Sequence, residues 1–340
     1  FSKYNKDAYK TGYADSDFEK VTLPHTNTLL PWHSFDDKDY QFVSIYRRLL
    51  KLNSRFKSKR IFADFEGVMT AAEVYINGKK VGVHRGGFTR FSLEITKFLK
   101  FDGTDLLAVK VDSRELPDIP PFGNRLDYLT FGGIYRPVWL TIVEKEFIKE
   151  VLAVPINAAD KMTFQIDYFL DINNKHINDY SLKVEVEDNK AKIYSSIVEI
   201  TAAAGRAIIS DLKDILLWDI DNPYLYDVTV HLLKNGSAID DYSFKTGFRE
   251  CEFRKSGFYL NGKKLKLRGV NGHQTYPYIG CAAPPKLQFL DADIIENELK
   301  CNIVRTSHYP QSKSFLERCD QIGLLVFEEM PGWQHIGGAT

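Results

Sequence analysis

Asn302-Ile303-Val304-Arg305-Thr306-Ser307-His308-Tyr309-Pro310, followed by Gly323-Leu324-Leu325-Val326-Phe327-Glu328-Glu329, is the stretch that decides how the C-terminal part of this chain folds. Ile303 and Val304 form a short apolar run that reads as a strand, and Pro310 stops it. A helical pattern comes next, with Phe315, Cys319 and Ile322 on one face and Gly323 as its close. Leu324 to Phe327 is continuously apolar, which predicts a strand buried on both faces. Upstream, the segment from Leu287 to Lys300 places Leu290 with Ile294, and Ile295 with Leu299, among Asp291, Asp293, Glu296 and Glu298. This spacing predicts an amphipathic helix with one face on a sheet. Lys264 to Val270 reads as a further strand, so the order from about residue 264 is strand, helix, strand, helix, strand. Such alternation implies parallel strands joined by right-handed crossovers.

Polar residues crowd the downstream end of each strand: Asn271 and His273, then His308, then Glu328 and Glu329. In a (β/α)8 barrel those ends build the active site. A histidine after a strand reads alone as a hydrogen-bonded structural residue. Two of them at neighbouring strand ends, His273 and His308, point instead to a shared site. A two-histidine metal site is the competing idea, but no third ligand follows at a clear spacing, so no metal is expected. Arg305 lies three residues before His308, where its cation either orients a carboxylate in the site or pairs with a core acid. Glu328 and Glu329 are adjacent, and adjacent strand residues face opposite ways, so at most one of them lines the site. Trp333 on the following loop offers either an exposed ring for stacking or a buried packing surface.

The region from 1 to 144 is rich in strands. Glu73 to Ile76, Asn77-Gly78 and Lys79 to Val83 form a hairpin signal, because Asn-Gly tolerates the positive φ angles of a type I′ turn. Leu107, Val109 and Val111 alternate with Ala108 and Lys110, as in a β-sandwich strand. From Pro117 to Asn124 three prolines and a glycine predict a long loop, which runs through Asp127 into Gly132-Gly133. Taken alone, Asp127 reads as an ordinary turn cap. The region from 145 to 246 repeats the period of two: Met162, Phe164, Ile166 and Tyr168, then Leu182, Val184 and Val186, then a hairpin around Asn235-Gly236. The spacing suggests an immunoglobulin-like sandwich without the inter-sheet cysteines. The region from 247 to 340 opens with a hairpin at Asn261-Gly262 that leads into the first barrel strand.

Composition narrows the function. Basic and acidic residues balance at 45 each, which recommends neither nucleic acid nor an anionic membrane as partner. No apolar run approaches the roughly 20 residues that span a bilayer. The chain starts at Phe1-Ser2-Lys3-Tyr4 without the features of a signal peptide, so the expectation is that any leader was removed or never existed. The compartment stays open, with a periplasmic or secreted placement ranked ahead of a cytoplasmic one. Cys251, Cys281, Cys301 and Cys319 show no close-spaced zinc pair, and Cys301 and Cys319 read as buried thiols.

Three motifs carry a resemblance across nearly the whole chain: Phe131-Gly132-Gly133-Ile134-Tyr135-Arg136, Arg268-Gly269-Val270-Asn271-Gly272-His273, and Asn302 to Pro310. In this order they resemble glycoside hydrolase family 2, the β-galactosidase and β-glucuronidase family. The run from Leu324 to Gln334 is most similar to the β-galactosidase-like members. The resemblance implies a mainly β chain: a jelly-roll sugar-binding-type sandwich, an immunoglobulin-like sandwich, and the start of a TIM barrel that is incomplete in this chain. It implies a retaining exo-glycosidase without a cofactor, most similar to a β-galactosidase, acting on a carbohydrate substrate. Asp127, Asn271, His273, His308 and Trp333 would then contact the sugar, and Arg305 would orient the nucleophile. The acid/base and nucleophilic glutamates of the family fall on later strands, so none is expected before residue 340 and this polypeptide alone is expected to be inactive. The metal site of some β-galactosidases likewise draws on later residues. Two and a half strand-helix units leave a sheet edge uncovered, which predicts further chain, a truncation, or contacts in a homo-oligomer. The alternatives are a non-catalytic carbohydrate-binding module, and, within the family, a β-glucuronidase or β-mannosidase. A glucuronidase requires a cationic pocket for the uronate, and the sequence identifies none.

Overall fold

The computed structural model describes residues 1–332 apart from 32, 34–35, 122–127, 159–161, 190 and 211. The first sandwich faces two antiparallel sheets across one core. One has the order Ser2–Lys3, Val43–Leu50, Asp105–Asp112, Ala71–Ile76, Lys79–Arg85, and the other Phe91–Glu94, Arg60–Phe65, Val138–Val143. Alternate residues Ile61, Ala63 and Phe65 meet Val74, Ile76, Leu107, Val109 and Val111 between them. The hairpin turns at Asn77, φ 52°, and Gly78, φ 78°, as an Asn-Gly pair requires. Strand Asp105–Asp112 departs from simple alternation, because Ala108 is buried too. The N-terminal segment lays Ala8, Tyr4 and Tyr9 across the outer face of the sheet there.

A second sandwich stacks the sheet Ala204–Ile209, Thr163–Asp171, Phe147–Ile156 on the sheet Ala191–Glu199, Tyr180–Asp188, Tyr226–Lys234, Ser237–Thr246. Phe164, Ile166, Leu182, Val184, Val186, Val228 and Val230 are fully buried, the pattern that the period of two predicts. Asn235-Gly236 again turns a hairpin with both φ angles positive.

After residue 250 the chain forms a small antiparallel sheet, Cys251–Arg254, Gly257–Leu260 and Lys263–Leu265, and then a parallel sheet, Gly269–Asn271, Ile303–Arg305 and Leu325–Phe327. The single strand expected from Lys264 to Val270 is therefore two strands in two sheets. Lys263–Leu265 pairs back onto the Asn261-Gly262 hairpin, while Gly269–Asn271 pairs in parallel with Ile303–Arg305. Phe327 is half exposed, so the last strand is buried on both faces only at its start.

The first helix, Pro285–Asp293, buries Gln288 and Ala292, and Ile295 follows on the same side. Leu290 and Leu299 point to solvent, so the expected apolar face is corrected. Its last turn is wider than an α-turn: Leu299 N–H donates to Ile294 C=O at 3.0 Å, five residues back, which takes the i, i+4 pair Ile295 and Leu299 out of register. The second helix, Lys313–Ile322, begins at Ser312, whose hydroxyl accepts from Phe315 N–H, and ends at Gly323 with φ 84°. Phe315 and Cys319 pack with Ala292, Val304 and Leu324 beneath the parallel sheet. Among the described residues this sheet stays open and does not close into a barrel.

Joints on either side of the second sandwich connect it to its neighbours. Between the sandwiches Arg60 reaches Asp171 at 2.9 Å and Arg90 reaches Glu150 at 2.6 Å. Between the second sandwich and the parallel sheet, buried Trp218 donates its indole N–H to Asp320 C=O at 2.7 Å, and Arg249 lies 4.6 Å over its ring.

Candidate functional site

Parallel pairing sets Asn271 beside Arg305 and Arg305 beside Phe327, so the three strands end together. Everything polar that follows them converges. The Arg305 guanidinium donates from Nε to Glu329 Oε1 at 2.6 Å, adds a second bond from its terminal nitrogen, and reaches Asn271 Oδ1 at 3.4 Å. His308 Nδ1 meets the other oxygen of Glu329 at 2.9 Å. The carboxylate only accepts, so Nδ1–H donates. Glu329 is fixed from below by its own N–H, which donates to Thr306 Oγ1 at 2.8 Å. Glu328 faces elsewhere and accepts from Gln311 N–H at 3.3 Å. The two adjacent glutamates therefore serve different partners.

His273 and His308 stand 5.6 Å apart, ring to ring, in an edge-on arrangement. Tyr309 supports them: its hydroxyl accepts from Gln274 N–H at 3.1 Å and lies 3.4 Å from His273 Nδ1. Burial pushes the pKa of that hydroxyl up, so Tyr309 keeps its proton. The first sandwich completes the floor. Tyr128 packs 5.3 Å from His273, 5.8 Å from His308 and 5.5 Å from Tyr309, and Phe88 stacks on Tyr309 at 4.3 Å. The cluster thus offers two imidazoles, a guanidinium and a carboxylate beside an aromatic surface, a set suited to the hydroxyls and apolar face of a sugar. Among the described residues no group of three or more His, Cys, Asp or Glu side chains is arranged to hold a metal ion.

Asn271, His273, Arg305 and His308 are thus gathered in one place. Asp127 and Trp333 lie outside the described residues. Sequence reasoning missed Tyr128, Phe88, Gln274 and the direct Glu329 contacts. The signals were present: Tyr128 directly follows Asp127 in the loop feeding Gly132-Gly133, and Tyr309 stands inside the motif that carries His308.

Three models of one family tile the chain in order. "Glycosyl hydrolases family 2, sugar binding domain" matches residues 8–143, "Glycosyl hydrolases family 2" residues 147–249, and "Glycosyl hydrolases family 2, TIM barrel domain" residues 251–337. The chain belongs to glycosyl hydrolase family 2. Among curated family 2 relatives, a β-galactosidase of Thermoanaerobacter pseudethanolicus is 49% identical over 335 residues, which cover 97% of this chain and 45% of the relative. A β-galactosidase of Thermoanaerobacterium thermosulfurigenes is 45% identical over 347 residues, covering 99% of this chain and 48% of the relative. Among solved structures, Bacteroides uniformis β-glucuronidase 2, covalently bound to cyclophellitol-6-carboxylate aziridine, superposes with a TM-score of 0.84. It is 30% identical, with 100% of this chain and 42% of that one covered. The family 2 chain described here spans about half the length of the curated relatives it matches.

Proposed function

We propose that these domains serve in a retaining exo-glycosidase that cleaves terminal β-linked galactose. The observation that carries this reading is the convergence of His273, His308, Arg305 and Glu329 at the ends of three parallel strands, floored by Tyr128. The curated relatives named β-galactosidase support the choice of sugar. In this reading His273 and His308 hold sugar hydroxyls and favour the oxocarbenium-like transition state. Asn271, beside Arg305, holds a sugar hydroxyl as well, and Asp127 and Trp333 are assigned sugar contacts from the family motif alone. Arg305 uses part of its fork on Glu329 and keeps further N–H donors for the nucleophile. The acid/base and nucleophilic carboxylates belong to later strands of the barrel. The acid protonates the leaving oxygen while the nucleophile forms a glycosyl-enzyme that water resolves, the two standing about 5 Å apart.

The test compares nitrophenyl β-galactoside, β-glucuronide and β-mannoside as substrates of the complete enzyme. Galactoside turnover at least about 100-fold above the others is the expected outcome, and His308→Ala should lower kcat by about 100-fold, the scale of a bound sugar misplaced by about 1 Å. Unchanged turnover in His308→Ala removes that residue from the site. A β-glucuronidase is the second reading, favoured by the β-glucuronidase structure that superposes over the full chain. Preference for the glucuronide in the same assay establishes it instead.

A further inference from the structure

The motif Phe131 to Arg136 belongs to the first sandwich, yet its last side chain works in the parallel-sheet unit. Arg136 is buried. Its Nη2 donates to Pro310 C=O at 2.6 Å and to Gln274 Oε1 at 3.3 Å, partners 174 and 138 residues away in sequence. Nη1 reaches back to Phe88 C=O at 3.4 Å, within its own sandwich. Gln274 carries the chain of bonds onward: its Oε1 also accepts from Ser312 N–H at 2.9 Å, and its Nε2 donates to Gln288 Oε1 at 2.5 Å. One guanidinium and one amide therefore tie together the loop that bears His273, the loop that bears His308, and the starts of both helices.

The arrangement is expensive for stability alone. Among the described residues Arg136 has no ion-pair partner, and its Nε is buried without a hydrogen bond. Its guanidinium lies 5.1 Å over the ring of Tyr135 and feels the Glu328 carboxylate at longer range. With carbonyl oxygens as its only hydrogen-bond acceptors, a buried cation still costs more than an apolar side chain of the same volume. Space is reserved for it as well, since a Cβ on Gly67 would come within 2.8 Å of Arg136 Cδ. What the cation supplies is placement: Pro310 is two residues from His308, and Gln274 adjoins His273.

We propose that Arg136 is a positioning residue for the sugar-cleaving site, by which the first sandwich sets the separation of His273 and His308. This rests on the glycosidase reading above. The experiment uses the complete enzyme and its Arg136→Ala, Arg136→Lys, Gln274→Met and His308→Ala variants. Each is assayed on the preferred nitrophenyl glycoside and titrated calorimetrically with an iminosugar of the same configuration. Stoichiometry reports the folded fraction, and Kd and kcat per site report geometry. Arg136→Ala is expected to keep its stoichiometry, weaken iminosugar binding by about tenfold and lower kcat by about 100-fold, the scale of a 1 Å misplacement. Arg136→Lys, which reaches one acceptor but not the fork, should recover part of that loss. A loss confined to stoichiometry, with Kd and kcat per site unchanged, overturns the proposal. If Arg136→Ala fails to fold, Gln274→Met decides: about a tenfold loss of kcat supports positioning, and parental kcat and Kd refute it. His308→Ala separates the two claims, because full activity there sinks the site reading itself. A complete enzyme that cleaves none of the glycosides leaves nothing to position, and also overturns the proposal.

Discussion

Glu329 takes donors from Arg305 and His308 on separate oxygens, so one carboxylate fixes the donating nitrogen of an imidazole and the direction of a guanidinium together. Replacing it by glutamine removes the charge and leaves one acceptor oxygen for two donors. Glu329→Gln in the complete enzyme is expected to lower kcat/KM by about tenfold with little change in thermal stability, because the cluster lies at the strand ends rather than in the core. Parental kinetics in that variant place the pair outside the chemistry. A second carboxylate, Glu185, does structural work on the second sandwich. Lys183 at 2.6 Å, Lys192, and His231 at 3.1 Å surround it, and the first two hold its pKa down at about 2. An unfolded glutamate titrates near about 4.3, so the folded pKa is depressed. The stabilisation is complete above that value and is lost as pH falls toward 2. Glu185→Gln should therefore cost about 2 kcal/mol at pH 6, as charge-assisted bonds do, and nothing near pH 2. Melting curves of parent and variant that stay a constant distance apart across this range contradict the assignment.

At the scale of elements, legibility followed backbone chemistry. Asn77-Gly78, Asn235-Gly236 and Asn261-Gly262 were readable as turns because positive φ restricts which residues stand there, and all three turn hairpins. The alternation of Phe164, Ile166 and Tyr168 was readable because one face of that strand meets a core and the other meets water. The face of the first helix was not readable. Its decisive buried polar residue, Gln288, is held by Gln274 from a distant loop, and its wide last turn shifts the phase of the apolar pairs. The break between Leu265 and Gly269 was hidden for a similar reason, since two different sheets recruit the ends of one continuous β-prone run. Gly269 is the point where the second sheet is closest: a Cβ there would lie 2.1 Å from Ile303 C=O. Gly269→Ala should separate the first two parallel strands and cost about 3 kcal/mol, the upper range of overpacking, measured by denaturant titration. A cost below about 0.5 kcal/mol would mean that the strands part freely.

For the whole molecule, the change from two stretches of period two to a strand–helix alternation after about residue 264 was legible, whereas the joints were not. Side chains that tie domains together carry no period. Arg136, Trp218 and Arg60 look like ordinary residues of their own strands or loops until the fold sets them against a partner. The joints on the two sides of the second sandwich differ in physical kind. Arg90–Glu150 is exposed and Arg60–Asp171 half-buried, and surface ion pairs of the first kind contribute about 0–1 kcal/mol and weaken with salt. Trp218 is buried, gives its indole N–H to the Asp320 carbonyl near the end of the second helix, and takes Phe248 C=O through its backbone N–H at 2.8 Å. Gly247 adjoins it so closely that an added Cβ would lie 2.7 Å from the indole. Removing the ring should cost about 3–5 kcal/mol, and the loss should be shared by both sides of the joint. In Trp218→Ala, amide hydrogen exchange is therefore expected to accelerate in the second helix, Lys313–Ile322, as well as around Phe248, while the first sandwich keeps its protection. Raised salt should leave this pattern unchanged. Acceleration confined to the second sandwich would show that the helix does not depend on Trp218, and that the parallel sheet is held by its own core of Ala292, Val304, Phe315 and Cys319 alone.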